Sequence, residues 1–116
     1  MDSQLGLFDR IVSINAHGLT LEQRFDAFHA ANPHVYANLR RLALDAQRKG
    51  RTVGIKMLFE VLRWQYAMQT TDDSDFKLNN SYTSFYARLL MEREPELAGY
   101  FETRTQTWQT LELSRR

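Results

Sequence analysis

Apolar residues at helical spacing, interrupted by residues that start or end helices, constrain this chain more than any other feature. The clearest case begins at Asn32, which can cap a helix, and Pro33, which suits its first position because an N–H is not needed there. Apolar side chains then recur every three or four residues until Gly50, a residue type that commonly closes a helix. The pattern predicts an amphipathic helix over residues 33–49. Its apolar positions are Val35, Leu39, Leu42 and Ala46.

The same signals recur along the rest of the chain. Ser3 can cap a first helix that ends near Gly18. Thr20 and Gln23 have the spacing of a capping box, which predicts a second helix that stops before Pro33. Further helices are predicted over residues 53–69, over residues 80–94 with Asn79 or Asn80 as the cap and Pro95 as the stop, and from residue 97 through residue 111.

One stretch leaves an alternative open. Apolar residues alternate at Trp64, Tyr66 and Met68, and alternation resumes after the turn-like segment TDDSD, so a short β-hairpin is conceivable there. The helix is preferred because the helical pattern from Ile55 to Tyr66 is longer. The chain therefore reads as an all-α, compact domain of five or six helices.

Composition places the chain among soluble globular proteins. It is 43% hydrophobic and 25% charged, with five Gly and two Pro. No segment approaches the roughly 18 apolar residues that cross a bilayer, and the N-terminus lacks the pattern of a signal peptide. There is no cysteine for a disulfide or a thiolate site. We expect a single domain over residues 1–113, a frayed tail over residues 114–116, no membrane contact and a cytoplasmic location.

Charge is unevenly distributed along a chain whose net charge is only +1. Residues 40–70 hold 7 basic and 2 acidic side chains, a balance of +5, whereas the segments on either side each carry −2. A basic centre suits an anionic partner, although a solvated helix face rich in Arg and Lys is the more ordinary explanation. The side chains that could hold a nucleic-acid backbone are Arg40, Arg41, Arg48, Lys49, Arg51 and Lys56.

The predicted helix over residues 80–94 carries the side chains that best suit base reading. Its apolar stripe should face the core, which leaves amide, hydroxyl and guanidinium groups on the other side. Asn pairs with adenine and Arg with guanine, and a helix N-terminus attracts phosphate. The competing interpretation is a plainly capped helix, since Asn, Ser and Thr are ordinary first-turn residues. The candidates are Lys77, Asn79, Asn80, Ser81, Thr83, Ser84 and Arg88.

A helix-turn-helix-like arrangement would suit this function, but the sequence matches it only in part. Ala46 and Gly50 have the expected four-residue separation, whereas the position expected to hold a buried aliphatic side chain is Lys56. Pairing the helices over 53–69 and 80–94 instead leaves a connector of about ten residues, which is long for a simple turn. A helix-turn-helix-like fold stays open.

Protein binding is a function of a different class. The chain contains 14 aromatic residues, counting two Trp, five Tyr and seven Phe, which is more than a minimal helical core needs. Aromatic residues and Arg are favoured at interface hot spots. If they are exposed together, Trp64, Tyr66, Tyr100 and Trp108 would mark a partner site, whereas core packing is the competing explanation.

The residues do not predict an enzyme. His17, His29 and His34 lack the spacing of a metal site, and neither a phosphate-binding glycine loop nor a nucleophile motif is found. The glutamates around Pro95 lie at a helix break open to solvent, which gives no reason for an acid or base role. We predict a non-enzymatic protein without catalytic residues, metal or cofactor.

Three blocks of the sequence carry a resemblance: FHAANPHVYANLRRLA, GIKMLFEVLRWQYAMQT and FKLNNSYTSFYARLLMEREPELAGYFETR. Their combined NPxVY, FEVLRW and FKLNNxYxxxYAR pieces are similar to a family of small, uncharacterised helical proteins of bacteriophages and prophages. The resemblance covers residues 25–104. It implies a phage origin and action in the host bacterial cytoplasm, and it implies no activity for particular residues.

Two functions are weighed on this basis. The leading one is a nucleic-acid-binding regulator or accessory factor for DNA or RNA, with helix 80–94 at the groove and segment 40–56 on phosphates. It requires that the polar residues of helix 80–94 share a face with Arg48, Lys49 and Arg51. The alternative is a phage-encoded protein that binds and inhibits or modulates a host protein, such as a defence complex. It requires an exposed aromatic patch, or an acidic one at residues 72–75 and 92–96. No pattern indicates the oligomeric state.

Overall fold

The fold is built from four α-helices in the part of the chain that the structure, a computed structural model, describes: residues 11–69 and 78–101. The helices are α1 (Leu21–Ala31), α2 (Pro33–Arg48), α3 (Ile55–Gln69) and α4 (Thr83–Arg93). A 3-10 turn, Asn80–Tyr82, leads into α4, and another, Pro95–Leu97, follows it. No residue in these two ranges lies in a strand, so the all-α class is confirmed.

Local signals start the first two helices where the sequence places them. At α1, Thr20 Oγ1 accepts from the Gln23 amide at 3.2 Å, and Gln23 Oε1 accepts from the Thr20 amide at 3.0 Å. The predicted capping box is confirmed, and it satisfies two of the N–H groups that a helix start leaves unpaired. Pro33 opens α2 as predicted, but the side chain of Asn32 makes no capping bond.

Asn32 is instead buried, and its side chain holds the segment that precedes α1. Its Oδ1 accepts from the Val12 amide at 2.7 Å, and its Nδ2 donates to the Val12 carbonyl at 2.9 Å and the Phe28 carbonyl at 3.1 Å. A buried amide left without partners costs about 1–3 kcal/mol, which these bonds avoid. The prediction of a side-chain cap at Asn32 is wrong because its amide is committed to the Val12 backbone.

The chain leaves α2 through Gly50, whose φ is +70°. The Gly50 amide donates to the Gln47 carbonyl at 3.0 Å, and the Arg51 amide donates to the Ala46 carbonyl at 2.9 Å. This pair of bonds is a Schellman motif, which favours glycine because a Cβ is strained at positive φ. The predicted closing glycine of α2 is confirmed, and it directs the chain towards α3.

An aromatic cluster joins α1, α3 and α4. Tyr86 is fully buried, with ring centroids 4.8 Å from Phe25 and 5.9 Å from Phe59. Phe25 also stacks on Phe85 at 5.0 Å. Edge-to-face and offset rings stabilise a core beyond the area they bury. The predicted apolar stripe of the helix over 80–94 is therefore confirmed as a core face. The aliphatic residues buried with it include Leu39, Leu62, Leu90 and Leu97.

The described residues contain fewer helices than the five or six predicted. Residues 11–18, the second half of the predicted first helix, are not helical, because Asn32 holds the Val12 backbone in another path. Leu97 lies in a 3-10 turn whose C-terminal cap is Ala98, so the described start of the predicted last helix is not α-helical. The other parts of these two predictions, residues 3–10 and 102–111, lie outside the described residues, as does the tail 114–116.

The structure excludes the β-hairpin that the sequence left open within α3. The hairpin is wrong for Trp64 to Met68, because α3 continues through Gln69; residues 70–77 lie outside the described ranges.

Residues 49–54 connect α2 to α3. That connector is longer than the roughly three- or four-residue turn of a helix-turn-helix. The α2–α3 pair therefore lacks the tight turn of that motif.

Candidate interaction surface

The basic side chains of α2 reach acidic residues that follow α4. Arg40 Nε donates to Glu94 Oε2 at 2.8 Å. Arg48 makes two bonds to Glu96, at 2.6 and 3.1 Å. Part of the positive charge that the sequence concentrates in residues 40–70 is therefore neutralised by residues distant in the chain.

The contact between Arg48 and Glu96 also affects how both groups titrate. The hydrogen bond from Arg48 lowers the pKa of Glu96, and the same bond raises the pKa of Arg48. Lys49 forms another exposed pair, with its Nζ 3.2 Å from Asp45 Oδ2. Exposed pairs of this kind contribute little to stability, so their main effect is to reduce the local positive charge.

Three other basic residues of the predicted phosphate-binding segment are not neutralised in this way. Arg41, Arg51 and Lys56 are exposed and form no ion pair with residues 11–69 or 78–101. Arg41 donates to Asn38 Oδ1 at 3.1 Å. The segment therefore contains three paired cations and three that are unpaired among the described residues. The paired cations are Arg40, Arg48 and Lys49, and the unpaired ones in this part of the chain are Arg41, Arg51 and Lys56.

The predicted base-reading residues at the start of α4 mostly bond to one another. Asn79 Oδ1 accepts from the Ser81 amide at 2.9 Å and from the Ser81 hydroxyl at 2.5 Å. The Thr83 hydroxyl donates to the Asn80 carbonyl at 3.0 Å, and Thr83 itself is buried. Asn80 Oδ1 accepts from Arg63 Nη2 at 2.5 Å. Asn79 is therefore the cap, and Thr83 faces the interior.

The two remaining candidates on α4 are Ser84 and Arg88. Ser84 is half-buried, and Arg88 is exposed with its guanidinium carbon 5.2 Å from the Phe85 ring centroid. No hydrogen bond or ion pair between described residues connects the candidates on α4 to the basic residues of α2. Lys77 lies outside the described residues. The buried residues of α4 are Thr83, Tyr86, Ala87 and Leu90.

α3 carries apolar side chains on two of its faces. The inner face is buried and consists of Ile55, Leu58, Phe59, Leu62 and Tyr66. The outer face consists of Met57, Val61, Trp64 and Met68, which are 57%, 36%, 63% and 61% exposed. We call these four residues the α3 outer stripe. Their spacing of four, three and four residues aligns them along one side of the helix.

The α3 outer stripe accounts for nearly all of the exposed large hydrophobic side chains in the described residues. Val12, 51% exposed, is the only other one in residues 11–69 and 78–101. Single exposed apolar residues are normal, whereas a contiguous apolar patch marks an interaction site in a soluble protein. Trp and Met are also residue types enriched at the centres of interfaces.

Polar residues border the α3 outer stripe. At about 3.6 residues per turn, Lys56, Glu60 and Arg63 fall beyond one edge of the stripe, and Gln65 falls at the other edge, between the stripe and the core. An apolar centre with a polar rim is the usual anatomy of a protein–protein interface.

Hydrogen bonds hold α3 in place on two other sides. Arg63 Nη2 donates to the Leu78 carbonyl at 2.7 Å, which ties α3 to the segment that precedes α4. On the inner face, the Tyr66 hydroxyl lies 2.8 Å from His34 Nδ1 and accepts from Asn38 Nδ2 at 3.1 Å. The outer stripe is therefore presented by an anchored helix, which lowers the ordering cost of binding.

Of the four aromatic residues that the sequence suggested as a partner site, the three in the described ranges are not exposed together. Trp64 is exposed, but Tyr66 is buried. The Tyr100 hydroxyl donates to the Arg51 carbonyl at 2.5 Å and accepts from the Val53 amide at 3.1 Å, so it holds the α2–α3 turn. The fourth, Trp108, lies outside the described residues.

Sequence reasoning missed the residues that do accompany Trp64. Met57, Val61 and Met68 have helical spacing with it in the sequence, so the signal was present. The longer inner stripe of the same helix concealed it, because a helix is ordinarily expected to bury one apolar face.

The acidic patch suggested as the other partner site is only partly described. Glu92 is exposed, whereas Glu94 and Glu96 are paired with Arg40 and Arg48. Residues 72–75 lie outside the described ranges. The described part of this patch is therefore largely neutralised.

Within residues 11–69 and 78–101, no group of three His, Cys, Asp or Glu side chains is placed to hold a metal ion, and no helix combines the length and hydropathy needed to cross a bilayer. The chain matches no protein-family model, no curated protein and no solved structure.

Proposed function

We propose that this chain is a non-enzymatic binding protein whose contact face is the α3 outer stripe. The exposure of Trp64 beside three other apolar side chains on one face of an anchored helix carries this proposal. A ridge of residues spaced four, three and four apart fits the groove between the ridges of another helix. The partner surface is accordingly an apolar helix face.

Trp64 is the proposed anchor of the contact. A buried aromatic side chain removes about 150–250 Å² of surface from water, and such anchors often contribute 2 kcal/mol or more to binding. Because Trp64 is 63% exposed, most of this burial is still to be gained when a partner binds. Met57 and Met68, at the two ends of the stripe, have flexible side chains that adapt to the shape of a partner.

The proposed partner is a bacterial host protein that the bound chain inhibits or modulates in the host cytoplasm. This part of the proposal rests on the resemblance of the three sequence blocks to phage and prophage proteins.

The test is recovery of a partner from bacterial lysate treated with nuclease. We expect the tagged chain to recover one protein in stoichiometric amount and Trp64→Glu to lose it. Ala30→Glu is the matched control, because it places the same residue at an exposed position of α1 and should retain the partner. Equal recovery by Trp64→Glu and the unmodified chain would contradict the proposal.

Nucleic-acid binding is the second candidate, with α4 at the groove of DNA or RNA. The observation that favours it is the presence of Arg51 and Lys56, exposed and without ion pairs in the described residues, at the α2–α3 turn. In a salt titration, Arg51→Ala should weaken binding to all sequences and reduce the salt slope by about 1, whereas Arg88→Ala should change sequence preference. No binding at about 50 mM salt would exclude this candidate.

A further inference from the structure

We infer that a second copy of this chain packs on the α3 outer stripe, with the two α3 helices antiparallel. The inference rests on the proposed function, in which this stripe binds protein, and it places a second copy on the same four residues, so that the second copy and a host protein compete for them. A two-fold interface needs a patch that is complementary to itself, and the stripe has this property.

The spacing of the stripe is the first reason. Four, three and four residues form a series that reads the same in both directions, so a two-fold axis between Val61 and Trp64 aligns the two stripes completely. Trp64 then lies opposite Val61 of the second copy, and Met57 lies opposite Met68 of the second copy. Large side chains facing small ones interdigitate, as in packed cores.

The second reason concerns the relative direction of the two α3 helices, because parallel packing would be less favourable. A parallel pair in the same register would place Trp64 against Trp64 and Val61 against Val61, so that one layer is crowded and the next is underfilled. It would also align the two helix dipoles, which antiparallel packing opposes. The antiparallel pair avoids both costs.

The borders of the stripe are the third reason. In an antiparallel pair of helices, residues on the same border face each other across the axis. Glu60 then falls near Ala67 of the second copy, and Gln65 falls near Leu58 of the second copy. The same geometry brings Arg63 opposite Arg63 of the second copy, but each guanidinium is paired with Glu60 of its own chain at 2.6 Å, which offsets the repulsion.

The size of the surface sets the strength of the pairing. α3 has 15 residues and is about 22 Å long. Four side chains on a helix of that length bury less than the roughly 800 Å² per partner of a standard interface. The pair is therefore a reversible dimer, in which monomer and dimer exchange as the protein concentration changes.

Sedimentation velocity across about 1–200 µM tests the pairing, since weak interfaces dissociate in this range. We expect the mass to rise from 13.7 kDa towards twice that value. Trp64→Glu should weaken association by about 30-fold or more, and Ala30→Glu should behave as the unmodified chain. Far-UV circular dichroism checks that each variant folds. A chain that stays monomeric throughout, or a folded Trp64→Glu variant that associates equally well, would overturn the inference.

Cross-linking tests the direction of the helices. The chain has no cysteine, so Met57→Cys and Met68→Cys each introduce a single thiol. A short bismaleimide should link the two variants when they are mixed and should not link Met57→Cys to itself. Linkage of Met57→Cys to itself but not to Met68→Cys indicates parallel helices and would overturn the antiparallel arrangement.

The two experiments separate this inference from the proposed function. If the chain stays monomeric but recovers a lysate protein through Trp64, the second copy is wrong as a partner and the proposed function stands. If the chain pairs through the stripe and recovers no lysate protein, the second copy is supported and the host protein is wrong.

Discussion

The exposed faces of α2 and α3 differ in whether the chain supplies partners for them. On α2, Arg40 and Arg48 reach Glu94 and Glu96. On α3, Trp64 remains 63% exposed within an apolar stripe that the described residues do not cover. Two of the basic side chains of α2 are paired inside the molecule, whereas the outer face of α3 stays in contact with water.

This difference shows why net charge along the sequence is a weak guide to the charge that a folded surface presents. An exposed ion pair forms wherever opposite charges come within reach, and long flexible side chains make this easy. Apolar surface leaves water only through a close contact of matching shape. A run of basic residues can therefore be paired within the fold, whereas an apolar face without a close contact stays exposed.

The largest expected effect separates the two faces of α3. Phe59→Ala should reduce the free energy of unfolding by about 3–5 kcal/mol, because Phe59 is fully buried. Trp64→Ala should change it by no more than about 0.5 kcal/mol, since its ring is mostly in water. Urea denaturation at low protein concentration measures both. A comparable loss for Trp64→Ala would mean that the outer stripe is part of the core.

The next-largest loss of stability is expected at the α2–α3 turn. Tyr100→Phe removes the bonds to the Arg51 carbonyl and the Val53 amide, which should reduce the free energy of unfolding by about 1–2 kcal/mol. Tyr36→Phe is the matched control, because its hydroxyl makes one longer bond, 3.3 Å to Glu94, and its loss should cost less. Urea denaturation of the two variants side by side decides the order.

Removing the acidic partners of α2 tests whether they mask its charge. The double variant Glu94→Gln, Glu96→Gln leaves Arg40 and Arg48 without ion pairs among the described residues. We expect elution from an anionic resin at higher salt and little change in stability, since surface pairs contribute little. Recovery of a lysate protein through Trp64 should not change. Unchanged elution would show that the acidic residues do not mask the basic face.

The smallest effect is a pH dependence from the pair of Arg48 and Glu96. The pKa of Glu96 is lowered by its hydrogen bond from Arg48, below an ordinary value of 4.5. The stability from this pair is therefore present above the ordinary value and is lost as pH falls through the lowered pKa. The difference in urea midpoint between the unmodified chain and Arg48→Gln should shrink from about pH 7 to about pH 3. A difference that grows on acidification would contradict this assignment.

Much of the local structure could be predicted from the sequence. The capping box of Thr20 and Gln23, the start of α2 at Pro33 and its end at Gly50 depend on groups a few residues apart. Residue type and spacing predict such short-range bonds unless a distant partner competes, as the Val12 backbone does for Asn32. The apolar stripe of α4 could be predicted because helical periodicity is also a local property.

The rest depended on contacts between distant segments. The sequence around Val12 has helical spacing, but the buried amide of Asn32 binds that backbone in a non-helical path. Thr83 belongs to a first turn of ordinary composition, yet it is buried. Neither outcome can be read from neighbouring residues, because the partner lies elsewhere in the chain.

The sequence by itself determined the helical class and the ends of several helices, because 3.6-residue periodicity and capping are local properties. Only the tertiary structure decided which faces stay open. It paired Arg40 and Arg48 of the basic segment with Glu94 and Glu96, and it covered one apolar face of α3 and left the other in water. The physical reason is that burial and charge pairing depend on which surfaces meet, and the order of residues along one helix does not specify that.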